Sequence, residues 1–113
     1  MTEEDKILRF IGLAMRAGKV VSGFDATVSA MRAGQCRLLI LSKDISANTL
    51  NKLMDRASEC DDDQLAAYSF ATARQLGDAI GRPDRAVLAI TDEGFASKLA
   101  QMIEEIDDTK EIC

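Results

Sequence analysis

Histidine is missing from the 113-residue chain altogether, so no Cys-His dyad can form and no zinc site can draw on imidazole. The cysteines do not fill that gap. Cys36, Cys60 and Cys113 are odd in number and show no CxxC spacing, which reads as two reduced structural thiols plus one in the C-terminal tail. Neither GxGxxG nor GxxxxGK[ST] occurs, and no paired carboxylates or nucleophile with a base stand out. A nucleotide cofactor therefore has no motif behind it, and most nucleophilic and zinc chemistry is removed. Asp61-Asp62-Asp63 lacks the alternating acids, central Gly and later Glu of a calcium loop, and reads as solvated surface.

Long hydrophobic runs are also missing. The longest stretch of large aliphatic side chains is Leu38–Leu41, far short of the roughly 20 residues of a membrane helix. The opening MTEEDK is acidic and leads into an amphipathic pattern, unlike a secretory signal. The expected location is the cytoplasm, away from membranes. No Pro/Gly/Ser-rich stretch marks a linker, so residues 1–113 should form one domain, with 107–113 a frayed tail.

What is present is 47% hydrophobic and 29% charged residues with a net charge of -5, a globular balance that at first argues against nucleic acid. The charge is unevenly placed. Met1–Arg56 holds nine Lys/Arg against six Asp/Glu, a net of +3, and Ala57–Cys113 five against thirteen, a net of -8. One face of mild positive potential on an acidic remainder is one reading, and two solvated halves the other.

Apolar spacing supplies the elements. A helix is expected over about Glu3–Ala17, with Thr2 as its cap and Ile7, Leu8, Ile11 and Met15 inward. A short strand Lys19–Val21 follows, then a helix from Phe24 to about Ala33. Leu38–Leu41 and Ala86–Ile90 read as strands covered on both faces. Between them come a helix opened by Ser46-Ala47-Asn48, a strand Ala66–Phe70 and a helix opened by the capping box Thr72–Gln75; Asp92 caps a last helix. The expected class is α/β: a three-layer α/β/α sandwich around a central four-stranded mixed sheet.

Ligands of such folds favour the strand-to-helix turns, here Val21-Ser22-Gly23, Leu41-Ser42-Lys43-Asp44 and Ile90-Thr91-Asp92. Gly23, just inside a helix start, would let another backbone approach free N–H groups suited to a phosphate. An equally weighted reading makes Ser22-Gly23-Phe24-Asp25 a self-satisfied cap, with Ser22 accepting from the first turn and Asp25 answering the helix dipole.

Four ordered blocks, IGLAMRAGKVVSG, LLILSKD, ARQLGDAIGR and AVLAITDEGFA, resemble the kink-turn-binding large-subunit ribosomal protein superfamily and its small bacterial YlxQ-like branch. The resemblance implies an α/β/α fold that binds structured RNA, ribosomal RNA among the candidates, with no catalysis, no cofactor, no metal and no small-molecule substrate. In relatives the helix after the first strand carries Gly-x-Asn-Glu-x-x-Lys. Gly23 matches the glycine; Asp25, Ala26 and Ser29 stand at the Asn, Glu and Lys positions. The RNA-binding residues expected on this basis are Lys19, Ser22, Gly23, Phe24, Asp25, Ser29, Arg32, Lys43, Arg82 and Arg85, with Arg16 a further cation beside the first turn. Phe24 could stack on an unpaired base, although its spacing with Val28 and Met31 favours core packing; the register of Phe95 points inward. The alternative is a diverged member that lost kink-turn binding and contacts proteins. A monomer is expected.

Overall fold

Capping chemistry fixes most of the element boundaries. In a computed structural model, which describes residues 2–60 and 65–107, α1 spans Glu3–Arg16 and starts in a reciprocal capping box of Thr2 and Asp5. After it come β1 (Val20–Ser22), α2 (Phe24–Arg32), β2 (Leu38–Leu41) and α3 (Ala47–Ser58), the last opened by the Ser46 hydroxyl. Then β3 (Ala66–Ser69), α4 (Ala73–Ile80), β4 (Val87–Ile90) and α5 (Glu93–Asp107) complete the order. Helix α4 has the expected Thr72–Gln75 box and ends at Gly81, φ 73°. Helix α5 starts where Asp92 Oδ2 accepts from the Phe95 amide at 2.9 Å.

Small departures from expectation have local causes. Strand β1 begins at Val20 rather than Lys19, because Gly18 (φ +75°) turns the chain and the Lys19 amide still bonds back to Ala14 O at 2.9 Å. Strand β3 stops at Ser69 because Ala71 adopts a left-handed φ of 62°, a conformation that costs a non-glycine residue about 1–2 kcal/mol. Ala71 is buried, and its carbonyl accepts from the Lys43 amide at 2.7 Å. The Asp61–Asp63 stretch and residues 108–113 lie outside the described residues.

The sheet order is β1-β4-β2-β3, with β4 antiparallel to both neighbours and β2 parallel to β3. It is the mixed sheet expected, and three layers follow from strand alternation. Leu38, Ile40, Leu88 and Ile90 face a core with Ile7, Ile11, Leu76, Leu99 and Ile103 of α1, α4 and α5. Leu39, Leu41, Val87 and Ala89 face a second core with Val28, Met31 and Leu53 of α2 and α3. Every residue of β2 and β4 is buried, each large aliphatic side chain contributing about 1.5–3 kcal/mol. No described helix is long and apolar enough to cross a membrane.

One consequence of this topology positions the site. Strands β1, β2 and β3 run one way and β4 the other, so the ends of the first three meet the start of β4 at one edge of the sheet. The turn after β4 lies at the opposite edge.

Candidate functional site

Four helices begin at that first edge. Three of them, α2, α3 and α4, follow β1, β2 and β3 directly, and the start of α1 is joined to α4 by Gln75 Nε2 donating to Glu4 Oε1 at 3.1 Å. Their N-termini carry partial positive charge, roughly half an elementary charge each. Side chains close α1, α3 and α4: Thr2, Ser46 and Thr72 each accept from the first turn. Helix α2 is different, for its N-cap is Gly23, with φ 91°, ψ 161° and no side-chain cap.

The self-satisfied cap considered for Ser22 does not form. Strand β1 runs through Ser22, which pairs with Leu88, so the cap position falls one residue later, on a glycine with no side chain to accept from the first turn. Ser22 Oγ instead accepts from Arg85 Nε at 3.3 Å. The Gly23 amide is used by Val87 O at 2.9 Å, and the first intrahelical bond runs from the Thr27 amide to Gly23 O at 3.1 Å. The amides of Phe24, Asp25 and Ala26 thus belong to the open first turn, where a helix has no internal partners for them.

Beside that turn lies a concavity of about 390 Å³, lined by residues 22–26, by Thr49 of α3 and by Asp84–Val87. Arg85 is held firmly at its wall. Besides Ser22, its guanidinium donates from Nη1 to Asp84 O at 3.1 Å and Pro83 O at 3.4 Å, and its amide bonds Ala73 O at 2.9 Å. Lys43 is placed by the backbone alone: the Ser42 amide bonds Ala86 O at 2.9 Å and the Lys43 amide Ala71 O, which leaves the lysine side chain exposed. Two acids temper these cations, since Asp25 and Asp84 line the same concavity and are exposed.

Asp44 has a separate task. Its Oδ1 accepts from the Ala73 amide at 2.9 Å, tying the turn after β2 to the start of α4. That bond holds its carboxyl below the ordinary value of 3.8. A lowered folded-state pKa stabilises above the unfolded value and is lost as pH falls through the folded one. Asp44→Ala should therefore be less stable than the parent at neutral pH, with the gap closing below about pH 4; urea titrations across pH 3–7 measure it, and a constant gap would sink the assignment.

The sequence-derived candidates divide between the edges of the sheet. Ser22, Gly23, Phe24, Asp25, Lys43 and Arg85 come together. Phe24 is half-buried and packs on the α2/α3 core while lining the concavity. Ser29 is exposed, about 9 Å further along α2 at 1.5 Å per residue. Arg82 is exposed on the loop before Arg85, its amide bonded to Gly77 O at 2.9 Å. Lys19 lies at the opposite edge, its carbonyl accepting from Thr91 at 2.9 Å. Arg32 stands about 13.5 Å along α2, 3.8 Å from Glu59 Oε2. Sequence reasoning missed Thr49 and Asp84, since neither stands in a motif; only the fold carries α3 and the 82–85 loop to Gly23. Phe95 turns inward as expected, its ring centroid 5.1 Å from that of Phe10 with the rings tilted by 44°.

A three-layer sandwich with one open helix N-terminus at the meeting edge of three parallel strands is a recognisable class of structure. Residues 5–100 match the ribosomal protein L7Ae/L30e/S12e/Gadd45 family, and the chain belongs to that family. It is 37% identical over 94 residues to the RNA-binding protein YlxQ of Bacillus subtilis, covering 83% of this chain and 91% of that one. A solved structure of a protein of unknown function from Bacillus halodurans superposes with a TM-score of 0.78 at 36% identity, over 88% of this chain and 97% of the other. The Giardia lamblia 15.5kD RNA binding protein shares the fold, with a TM-score of 0.69 at 14% identity over 96% and 91% of the two chains.

Proposed function

We propose that the protein is a non-enzymatic binder of structured RNA, of kink-turn or ribosomal type, and that it uses the edge of the sheet where α2 begins. One observation carries this: of the four helix N-termini gathered there, only that of α2 lacks a side-chain cap, and a fixed arginine stands beside it. Open backbone donors on a positive helix end suit a phosphate. Arg85 lines the same concavity, Lys43 and Arg82 stand exposed on the adjoining turn and loop, and Phe24 offers a half-exposed ring to an unpaired base. Family membership and the RNA-binding relatives support the same reading.

Asp25, Ala26 and Ser29 shape its character. Ionised Asp25 accepts hydrogen bonds but donates none, Ala26 has no polar side-chain atom, and Ser29 brings no charge to a phosphate. Base reading is correspondingly reduced, and backbone amides with flanking cations supply most of the attraction.

Fluorescence anisotropy against a kink-turn RNA, and against the same RNA with its sheared G-A pairs replaced by Watson–Crick pairs, tests the proposal. The intact kink should bind better. Affinity for it should fall with salt at a log-log slope of about -2 to -3, as befits two or three released counterions. Equal or absent binding to both RNAs at low salt would favour the diverged, protein-contacting alternative.

A further inference from the structure

We propose that the groove between α1 and α4 is a self-association surface, which seats the same groove of a second copy of this chain across a twofold axis. The groove is a concavity of about 990 Å³, with Leu8, Met15, Ala79 and Ile80 among its lining. Its form follows from one residue. A Cβ on Gly12 would stand 2.8 Å from Ala79 O, so the two helix backbones nearly touch there and their outer surfaces diverge to either side.

The rims decide the partner. Arg9 and Arg16 line the α1 side, where Asp5 also lies with its carboxylate accepting from the Thr2 amide, and Asp78 lines the α4 side. Among the described residues Arg9, Arg16 and Asp78 are in no ion pair, although Lys6, Arg32 and Arg56 are. A nucleic acid would want rims of one sign, and a helix of one charge would satisfy only one wall. A second copy turned about an axis along the groove lays each arginine rim over the other copy's Asp78, so the match is made twice by symmetry. Leu13 strengthens the case: at 47% it is the exposed large hydrophobic residue among those described, and it lies one turn from both Arg9 and Arg16 on α1. Such a dimer leaves the α2 edge free, because α1 and α4 cover one face of the sheet and α2 the other.

Sedimentation equilibrium on the full chain without RNA tests this independently of the RNA proposal. The parent should associate reversibly as concentration rises. Arg9→Asp and Asp78→Arg should each weaken the dimer roughly tenfold or more, since each homodimer then holds two like-charge contacts. An equimolar mixture of the two variants should recover association, because the new acid of one faces the new base of the other. Both positions are exposed, and circular dichroism would verify that the variants fold; Leu13→Glu should weaken association by a separate route. A parent that stays monomeric up to about 1 mM, or variants that associate like the parent or fail to recover on mixing, would overturn the assignment.

Discussion

Replacing Gly77 with alanine is expected to lower the unfolding free energy by about 1–3 kcal/mol or more and to weaken RNA binding in the same variant. In an exposed helix the exchange would normally gain about 1 kcal/mol. Here the sign is reversed by sterics: the new Cβ would lie 2.2 Å from Pro83 O and 2.8 Å from both Pro83 C and Arg82 O. Those are backbone atoms, so the methyl cannot be accommodated by swinging a side chain aside. Residues 82–85 would have to lift off α4, and with them the carbonyls of Pro83 and Asp84 that orient Arg85. Gly12→Ala is the matched control, with a 2.8 Å encounter against Ala79 O on the far face of the sheet from α2. Urea unfolding should report a loss in both variants, and anisotropy a loss of RNA affinity in Gly77→Ala alone. Equal affinities would remove the 82–85 loop from the interface.

These two glycines also show where sequence reasoning stops. The strands Leu38–Leu41 and Val87–Ile90 were legible because burial on both faces demands unbroken apolar runs, and the helices because their caps are local, written within four residues of one another. Gly12 and Gly77 look like weak points in helices until tertiary packing shows a neighbouring backbone against each. Strand direction is likewise non-local. That β4 runs against its neighbours moves the Thr91-Asp92 turn to the opposite edge from Gly23, and no spacing in the chain records it; Lys19 stands at that edge because it precedes β1. The candidate site was legible where one turn supplies it, at Ser22–Asp25, and illegible where distant segments do. Arg85 could be suspected as a cation, but its bond to Ser22 links residues 63 apart in sequence. Ser22 itself was readable two ways, and a strand shifted one residue along the chain decided between them.

Gly23→Ala should lower stability and RNA binding together. With φ 91° and ψ 161°, Gly23 occupies a region open essentially to glycine alone, and forcing a side chain into it costs about 1–3 kcal/mol. No atom lies within 4 Å of the added Cβ, so the whole penalty is backbone strain and the fold has no clash to relieve. The methyl would also project from the N-cap of the one helix here without a capping side chain, hindering the approach of an RNA backbone to the amides of residues 24–26. A lower melting temperature with markedly weaker RNA binding is the expected pair of results; a lower melting temperature with unchanged affinity would take the start of α2 out of the interface. Asp25→Asn gives the opposite sign. It removes a carboxylate beside the incoming phosphates and restores a side chain that both donates and accepts. It should raise RNA affinity, while giving up the roughly 0.3–1 kcal/mol that an acid contributes at a helix N-terminus. Affinity and stability moving in opposite directions in Asp25→Asn, and falling together in Gly23→Ala, would be the signature of an open helix start that serves RNA at a small cost to the fold.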